Sequence, residues 1–432
     1  MTSLLLRADA GPGVGVGHLA RCAAVAEEAL ARGWDVTLAG TFTGADWLLA
    51  QLPGVEVRPD WAPADVVHID HYGEITPSPS LVVSMEDGPF GRRRADIAVD
   101  ANLARSDRPD DGTPLVLRGP VYAPLRSAVR AARGLPRPAR ERPRVVVSMG
   151  GGAAAEHVEA AVAAILSTGV PADVLAISAQ AISARPGVEY SGPRTDLPAL
   201  LADADLVVSA AGVTLLELCC IGVPTALVVI AENQRPGYTA ALDRGVAVGL
   251  PDLPALLADP AARARTAAAA RRAVDGHGAR RLLNAVAGIT LRRATPADSD
   301  LLLTWRNDPT TRRWSLTQDP VPVEDHRRWL AKALTDRVLL VAEERGTPVG
   351  TVRFDPRAPG EAEVSITLAP TARGRSLARP VLEAAHDELP GVRFLALIHR
   401  DNHVSRRLFA AAGYRPAGLP PDGPFEVTVR EP

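Results

Sequence analysis

The sequence predicts an α/β protein. Two facing doubly wound, Rossmann-like domains span 1–132 and 143–287, and an α+β domain spans 288–432. Three observations carry this reading. From Ser3 to Met85, short apolar runs alternate with helix-period segments, the pattern of parallel sheets. The pattern restarts after a Pro/Arg-rich stretch, Arg133–Arg144, which has no apolar periodicity and reads as a linker. Near Gly288 the character changes to strands at hairpin spacing. The 432 residues also suit about three domains at roughly 150 residues each.

In chain order, Ser3–Ala8 reads as a strand, followed by a Gly-rich loop and a helix from His18 to Arg32 that ends at Gly33. Asp35–Ala39, Val66–Asp70 and Leu81–Met85 read as further strands. After the linker, strand Arg144–Ser148 leads into Met149-Gly150-Gly151-Gly152. Helix Ala155–Leu166, strand Asp173–Ser178, helix Leu197–Ala202 and strand Leu206–Ser209 follow. Beyond Gly212 come helix Leu215–Cys220 and strand Thr225–Ile230, and Thr266–Ala287 reads as terminal helix. The last domain opens with "ITLRRATPADSD" as strand. Then come a helix, the strands "VLLVAEER", "VGTVRFD" and "AEVSITLAP", a helix, a strand and a helix. Sheets of the first kind bind ligands outside the carboxyl ends of their strands, so two facing sheets place a site in the cleft between them.

Charge and cysteine content narrow the function. With 48 basic against 50 acidic residues, the chain lacks the positive excess that nucleic acid or an anionic membrane surface attracts. Lys332 is the single lysine, and the Ala/Arg/Pro richness reads as a base-composition effect. Cys22, Cys219 and Cys220 cannot make a disulfide framework, so a reducing, cytoplasmic setting is expected. No targeting segment is expected, because Ser3–Leu6 is too short for a signal core. The apolar stretch Leu206–Ile230 contains Glu217 and Pro224, so it is no membrane span.

Several residues carry chemistry. The run Gly11-Pro12-Gly13-Val14-Gly15-Val16-Gly17-His18 joins strand to helix. Its glycines let backbone amides approach an anion at a helix amino terminus. The spacing is not the dinucleotide fingerprint, and the next strand ends in Ala39-Gly40 with no acid for a ribose, so a nicotinamide cofactor is not expected. At a helix start, His18 should be held neutral and can accept a proton from water; the alternative is a packed or capping histidine. In the second half, Ser209-Ala210-Ala211-Gly212-Val213-Thr214 is a small-residue loop that can cradle a diphosphate. Glu217 is either a ribose ligand or a solvated helix charge. Gly150 and Gly151 offer a second phosphate loop or a tight turn. His68 and His71 flank Asp70, but no further cluster completes a coordination shell, so no metal is expected.

The segment "GVGVGHLARCAAVAEEALARG" resembles the opening of the UDP-sugar hydrolase family of the pseudaminic acid pathway. Further segments match in order: "DVVHIDHYG", "ADIAVDANL", "LRGPVYAPLRSAV", "VVVSMGGG" and "VSAAGVTLLELCCIGVPTALVVIAENQ". The resemblance covers about 1–285 and implies a GT-B-like fold, a UDP-amino sugar substrate and no metal. It implies His18 as catalytic base, with Gly15, Gly17 and Arg21 in the substrate loop. Asp70, His71 and Tyr72 are expected to face the sugar, and Asn233 and Gln234 to reach the sugar and diphosphate. Met85-Glu86-Asp87-Gly88-Pro89-Phe90 departs from the family's pattern at that place.

Residues 290–432 resemble the GNAT acyltransferases through "AEVSITLAPTARGRSLARPVLEAAHDEL" and "HRDNHVSRRLFAAAGYRP". That resemblance implies acetyl-CoA as co-substrate. Leu368 and Arg373-Gly374-Arg375-Ser376-Leu377-Ala378 would hold the cofactor, and Asn402 would touch its arm. Ser376 stands where the family usually has Gly, and Phe409 where a proton-donating Tyr is frequent. Glu363 is the candidate base, and Trp305-Arg306-Asn307 the candidate acceptor contact. Together the two resemblances imply a bifunctional enzyme that acetylates a UDP-4-amino sugar and then releases UDP from it. A GT-B glycosyltransferase, or a nucleotide-sugar scaffold for the acetyltransferase, would share most of these features.

Overall fold

The computed structural model describes residues 2–11, 13–73, 80–133, 135–150, 153–389, 391–418 and 423–431. The chain forms two compact units, Met1–Leu283 and Asn284–Pro432.

The first unit contains two parallel sheets. Strands β1 (Ser3–Arg7), β2 (Asp35–Ala39), β3 (Val55–Arg58), β4 (Val66–Ile69), β5 (Leu81–Glu86), β6 (Ile97–Asp100) and β7 (Leu115–Arg118) lie in the order β3-β2-β1-β4-β5-β6-β7. Leu4, Leu5 and Leu6 of β1 are all buried, as expected for a central strand covered on both faces. The second sheet is built from β8 (Arg144–Ser148), β9 (Asp173–Ile177), β10 (Val188–Ser191), β11 (Leu206–Ala210), β12 (Thr225–Val228) and β13 (Val248–Gly249), in the order β10-β9-β8-β11-β12-β13. In each sheet the chain works outward and then crosses back: the order reverses between β1 and β4, and between β8 and β11. Such reversals open a crevice at the carboxyl ends of the strands.

Strands β3, β6, β7, β10 and β13, each of four residues or fewer, were not among the strands expected from the sequence. Among its described residues, the segment read as a linker has no helix or strand between Ala132 and Arg144, but its arginines pin it down. Arg133 donates to the carbonyls of Cys220, Val274 and Arg271, and Arg137 to those of Ala202 and Gly222.

The second unit is a mixed sheet of β14 (Ile289–Arg293), β15 (Val338–Glu344), β16 (Thr347–Ala358), β17 (Glu361–Leu368), β18 (Arg393–His399), β19 (Arg415–Gly418) and β20 (Phe425–Arg430), ordered β14-β15-β16-β17-β18-β20-β19. Only β17 and β18 pair in parallel, and only through Glu361↔Arg393, Ala362↔Phe394 and Glu363↔Leu395. Beyond Glu363 and Leu395 they are no longer paired. The run "ITLRRATPADSD" is strand only to Arg293. Thr295 and Asp298 form a reciprocal capping box that starts the helical segment ending at Asn307. Among the described residues, no helix is long and apolar enough to cross a membrane.

Candidate functional site

In the first unit the β1–β4 reversal gathers charged groups. Helix Gly17–Ala31 starts beyond β1, and Asp70 follows directly on β4. His18 Nδ1 lies 2.6 Å from Asp70 Oδ1. Two lone pairs cannot face each other at that distance, so the proton sits on Nδ1 and Nε2 carries the lone pair. Nε2 has no hydrogen-bond partner among the described residues. Arg21 Nε donates to Asp70 Oδ2 (2.7 Å) and Nη2 to Asp70 Oδ1 (2.6 Å). Its Nη1 and Nη2 also reach Asp87 at 2.7 and 3.0 Å. The Tyr72 hydroxyl donates to Asp87 Oδ2 at 2.5 Å, and its ring packs edge-on against His18 with centroids 4.6 Å apart.

Burial opposes charge at Asp70, but Arg21 and His18 overcome it and hold the carboxyl well below the usual range. Asp87 is likewise lowered, with burial overcome by Arg21. Burial and the Asp87 charge push the Tyr72 phenol upward, so it stays a donor. The cluster holds two carboxylates and one guanidinium.

This arrangement changes the expected roles of three residues. Asp70 (1% exposed) and Arg21 (4% exposed) spend their hydrogen bonds on each other, His18 and Asp87, so both position His18 and neither is left to face a sugar. His71 Nδ1 accepts from the Gly73 amide and Nε2 lies 3.0 Å from Asp9 Oδ2, so it ties down a loop. Tyr72 is 43% exposed beside His18 and stays available to a ligand. Asp87 was missed as a site residue. Its signal was an acid directly after a strand in the same sheet as Asp70.

The second sheet meets this cluster at its own reversal. Gly17, the first residue of its helix, lies so close to Val213, the first residue of helix Val213–Ile221, that an added Cβ would come within 3.1 Å of Val213 Cγ2. Neither helix start has a side-chain cap, so first-turn amides of both are left for a ligand. Gly15 and Gly150 take left-handed φ values of 76° and 89°. Thr214 Oγ1 is 3.8 Å from where a Gly150 Cβ would stand, and Gln234 Nε2 is 3.7 Å from that of Gly212. Asn233 is exposed in the turn Glu232–Gln234. Gly151 falls outside the described residues.

Two expectations in this half are revised. The Ser209 hydroxyl is buried and donates to the Ser148 carbonyl at 2.7 Å, which ties β11 to β8 and takes it out of the loop. Glu217 is neither solvated nor free: it is buried, with Arg126 Nη2 3.5 Å away. Burial pushes Glu217 upward, and Arg126 partly offsets this. Arg126, from the segment "LRGPVYAPLRSAV", also sits over the Trp47 ring at 5.8 Å.

Among the described residues, one group could hold a metal: Cys22, His68 and Asp70, with ligand atoms within 4.8 Å of one another. Asp70 is already committed to His18 and Arg21, and a cation there would sit against the Arg21 guanidinium. The donor set therefore fits a metal poorly.

In the second unit, the open ends of β17 and β18 and the loop after Leu368 gather the cofactor candidates. Gly374 and Ser376 both adopt left-handed φ, 74° and 57°. Leu377 is buried in the core, and Ala378 starts the uncapped helix Ala378–Asp387. Arg373 pairs with Asp308 at 2.7 Å and reaches Thr311 at 2.8 Å, and Arg375 pairs with Glu344. What the loop offers an anion is therefore its backbone and the helix start more than these two side chains. Asn402 Oδ1 accepts from the Ser405 amide and caps helix His403–Ala411, which leaves its amide nitrogen for a ligand.

Glu363 sits where β17 and β18 part, its carboxylate against Arg357. Trp305 is 5% exposed in the core. Arg306 donates to the Thr317 carbonyl, and Asn307 bonds both backbone groups of Val321. This trio shapes the loop after Trp314 more than it faces an acceptor. Phe409 packs edge-on against Tyr414 at 4.9 Å, and the Tyr414 hydroxyl lies 2.8 Å from His386 Nε2 in the interior, where burial pushes the phenol up.

The family described as acetyltransferase (GNAT) domain matches residues 289–415. The chain thus carries a GNAT acetyltransferase domain. Solved structures similar to this part include an N-acetyltransferase from Staphylococcus aureus Mu50 (21% identity, 33% of this chain and 98% of that one, TM-score 0.29). A domain from Methanocaldococcus jannaschii DSM 2661 shows 20% identity over 33% of this chain and 98% of its own, with TM-score 0.31. An aminoglycoside acetyltransferase in complex with coenzyme A and kanamycin shows 21% identity over 33% and 94%, with TM-score 0.30. No curated protein matches the chain.

Proposed function

We propose that the chain is a bifunctional nucleotide-sugar enzyme. Its GNAT domain transfers acetyl from acetyl-CoA to the 4-amine of a UDP-4-amino-4,6-dideoxy sugar. Its first unit hydrolyses UDP from the resulting UDP-diacetamido-trideoxyhexose. The reading rests on one observation above the rest: His18 presents an Nε2 with no hydrogen-bond partner among the described residues at the β1–β4 reversal, beside the start of helix Val213–Ile221.

In the hydrolytic step, His18 Nε2 takes a proton from water as the water oxygen attacks the anomeric carbon from the side opposite UDP. The bond from that carbon to the phosphate oxygen breaks, the centre inverts, and UDP leaves with that oxygen. The proton on His18 is balanced by Asp70 and Asp87. Tyr72, Asn233 and Gln234 orient the sugar and diphosphate, and amides from Gly15–Gly17 and Gly212–Thr214 hold the phosphates. In the acetyl-transfer step, the neutral amine attacks the thioester carbonyl, the carbon–sulfur bond breaks, and coenzyme A leaves as a thiolate. A β17 amide beyond Glu363 supports the oxyanion, and Glu363 takes the amine proton through water. The two reactions are consecutive. The nucleotide serves as a handle for the first and is removed by the second.

The test is His18→Ala in the full chain, with a UDP-4-amino sugar and acetyl-CoA. UDP release should vanish while acetylation continues at its wild-type rate. Equal loss of both activities overturns the assignment.

A further inference from the structure

The acetyltransferase unit has an aromatic and basic edge that none of the steps above uses. Trp314 lies edge-on to His399 with ring centroids 5.3 Å apart, and His399 edge-on to Phe425 at 5.4 Å. His399 ends β18, four residues past Leu395, where β18 leaves β17. At about 3.3 Å per residue, that places it ~13 Å toward the open end of the gap. The Asp401 amide donates to His399 Nδ1 at 3.2 Å, so the neutral ring carries its proton on Nε2 and offers a donor.

The Arg313 guanidinium sits over the Trp314 ring at 4.7 Å. The following loop is held in place by Arg306 on Thr317, Asn307 on Val321 and Arg312 on Gln318. Leu316 in that loop is 73% exposed.

Arg306, Arg312 and Arg313 stand in no ion pair among the described residues, while Arg353 pairs with Asp355 at 2.8 Å and Asp401 Oδ2 lies 3.9 Å from His399 Nδ1. Arg306 Nη1 is buried with no partner among the described residues. Burial lowers the Arg306 pKa, and the nearby charges of Arg312 and Arg353 lower it further. Asp308 is taken by Arg373, and Asp319, the one carboxylate in the loop, stands in no ion pair among the described residues. A flat ring surface beside uncompensated guanidinium groups suits a ligand with a pyranose ring and adjoining phosphates.

We propose that this edge docks the acetyl acceptor as a nucleoside-diphosphate-linked amino sugar, with Trp314 and His399 covering the pyranose and Arg312 and Arg313 facing the diphosphate. The inference rests on the acetylation half of the reading above and assigns its acceptor site. The experiment is steady-state acetylation by the full chain with three acceptors: a UDP-linked 4-amino sugar, the same amino sugar as a methyl glycoside, and a short peptide with a free amino terminus. Trp314→Ala should raise KM for the UDP-linked acceptor about tenfold or more, the loss expected for one ring contact. KM for acetyl-CoA and kcat should stay within about twofold, and Trp314→Phe should restore most of the loss. Arg313→Gln should raise KM for the UDP-linked acceptor and leave that for the methyl glycoside unchanged. If the UDP-linked sugar is turned over with a KM insensitive to both substitutions, the docking edge is wrong and the acetylation reading stands. If only the glycoside or the peptide is acetylated, both fall.

Discussion

Replacing Asp70 by asparagine exchanges one oxygen for an amide and alters two properties of the first-unit site. The first is the tautomer. Asp70 Oδ1 fixes the proton on His18 Nδ1 across 2.6 Å. An asparagine can turn its NH2 toward that nitrogen, which moves the proton to Nε2 and removes the base. Loss of the correct tautomer through the same exchange in catalytic triads costs on the order of 10,000-fold in kcat. The second is charge. With Asp70 neutral, Asp87 and Arg21 cancel each other and the imidazolium formed in the reaction has no counter-ion. Charge centres about 4 Å apart at an effective dielectric near 20 interact by about 4 kcal/mol, roughly a thousandfold in rate. Asp70→Asn should therefore reduce UDP release by about 1,000- to 10,000-fold while acetylation is retained. The assay couples UDP formation to a chromogenic readout and follows acetylation in the same sample by mass. Because Asp70 also pairs with buried Arg21, the fold of the first unit is checked by the melting of Trp34, Trp47 and Trp61 fluorescence. Arg21 keeps Asp87, so the unit should still melt cooperatively. A folded Asp70→Asn variant with less than a tenfold loss would refute the dyad.

Three further outcomes follow from the geometry. Burial holds His68 down to about 4, with neither ring nitrogen bonded, while an unfolded histidine titrates near 6.5. The unfolded chain then binds the extra proton as pH falls from about 6.5 to about 4, so first-unit stability drops by about 2–3 kcal/mol over that window and is fully present above it. Denaturant melts at pH 7 and pH 4.5 should show the drop, and His68→Leu should make it smaller by that amount; the remainder includes His277, which burial holds down to about 3. In the loop after Leu368, Ser376 holds φ at 57°, a region that costs side chains with a Cβ about 1 kcal/mol. Ser376→Gly should leave the melting temperature of the GNAT unit unchanged or raise it, whereas Ser376→Val should lower it by several degrees. Gly17→Ala would bring a Cβ within 3.1 Å of Val213 Cγ2. UDP affinity should fall, and Val213→Ala should restore it with a coupling of about 0.5–2 kcal/mol in calorimetric titrations; additive losses would mean that the two helix starts do not share a ligand.

What could be read from the sequence was local. The helix beginning at Gly17 carries an unbroken apolar period and a glycine stop, and the parallel strands β1, β2 and β8 are short runs of valine and leucine. The glycine turn and His18 were legible as a pair because they adjoin. The partners of His18 were not, because Asp70, Asp87 and Arg21 meet only through the order β1-β4-β5. For the same reason Asp70 and Arg21 were expected to face a ligand. A motif shows which residues are charged, and only the packed sheet shows that these two neutralise each other. Ser209, in β11, and Glu217, in helix Val213–Ile221, followed the same course: both looked accessible, and both found partners far along the chain, in Ser148 and Arg126. In the GNAT domain, Arg306 and Asn307 were legible as a motif, but the loop they hold was silent because its pairing partners are backbone carbonyls and amides.

The arginine bias illustrates how a compositional feature becomes a structural one. With Lys332 as its single lysine, the chain uses a guanidinium wherever a long basic side chain meets an acid or a carbonyl in the first unit. A planar fork with five donors can bridge several acceptors at once, which a point-charge ammonium cannot. Arg21 serves both Asp70 and Asp87, Arg108 serves Glu86 and Asp111, and Arg133 gathers three carbonyls from the second half of the first unit. At the His18 site this bridging has a chemical consequence. One fixed cation holds two carboxylates side by side, and one of them, Asp70, accepts from His18 Nδ1. A lysine at position 21 could satisfy either acid but not hold both in register, so the placement of Asp70 against His18 depends on the fork and not on the positive charge alone.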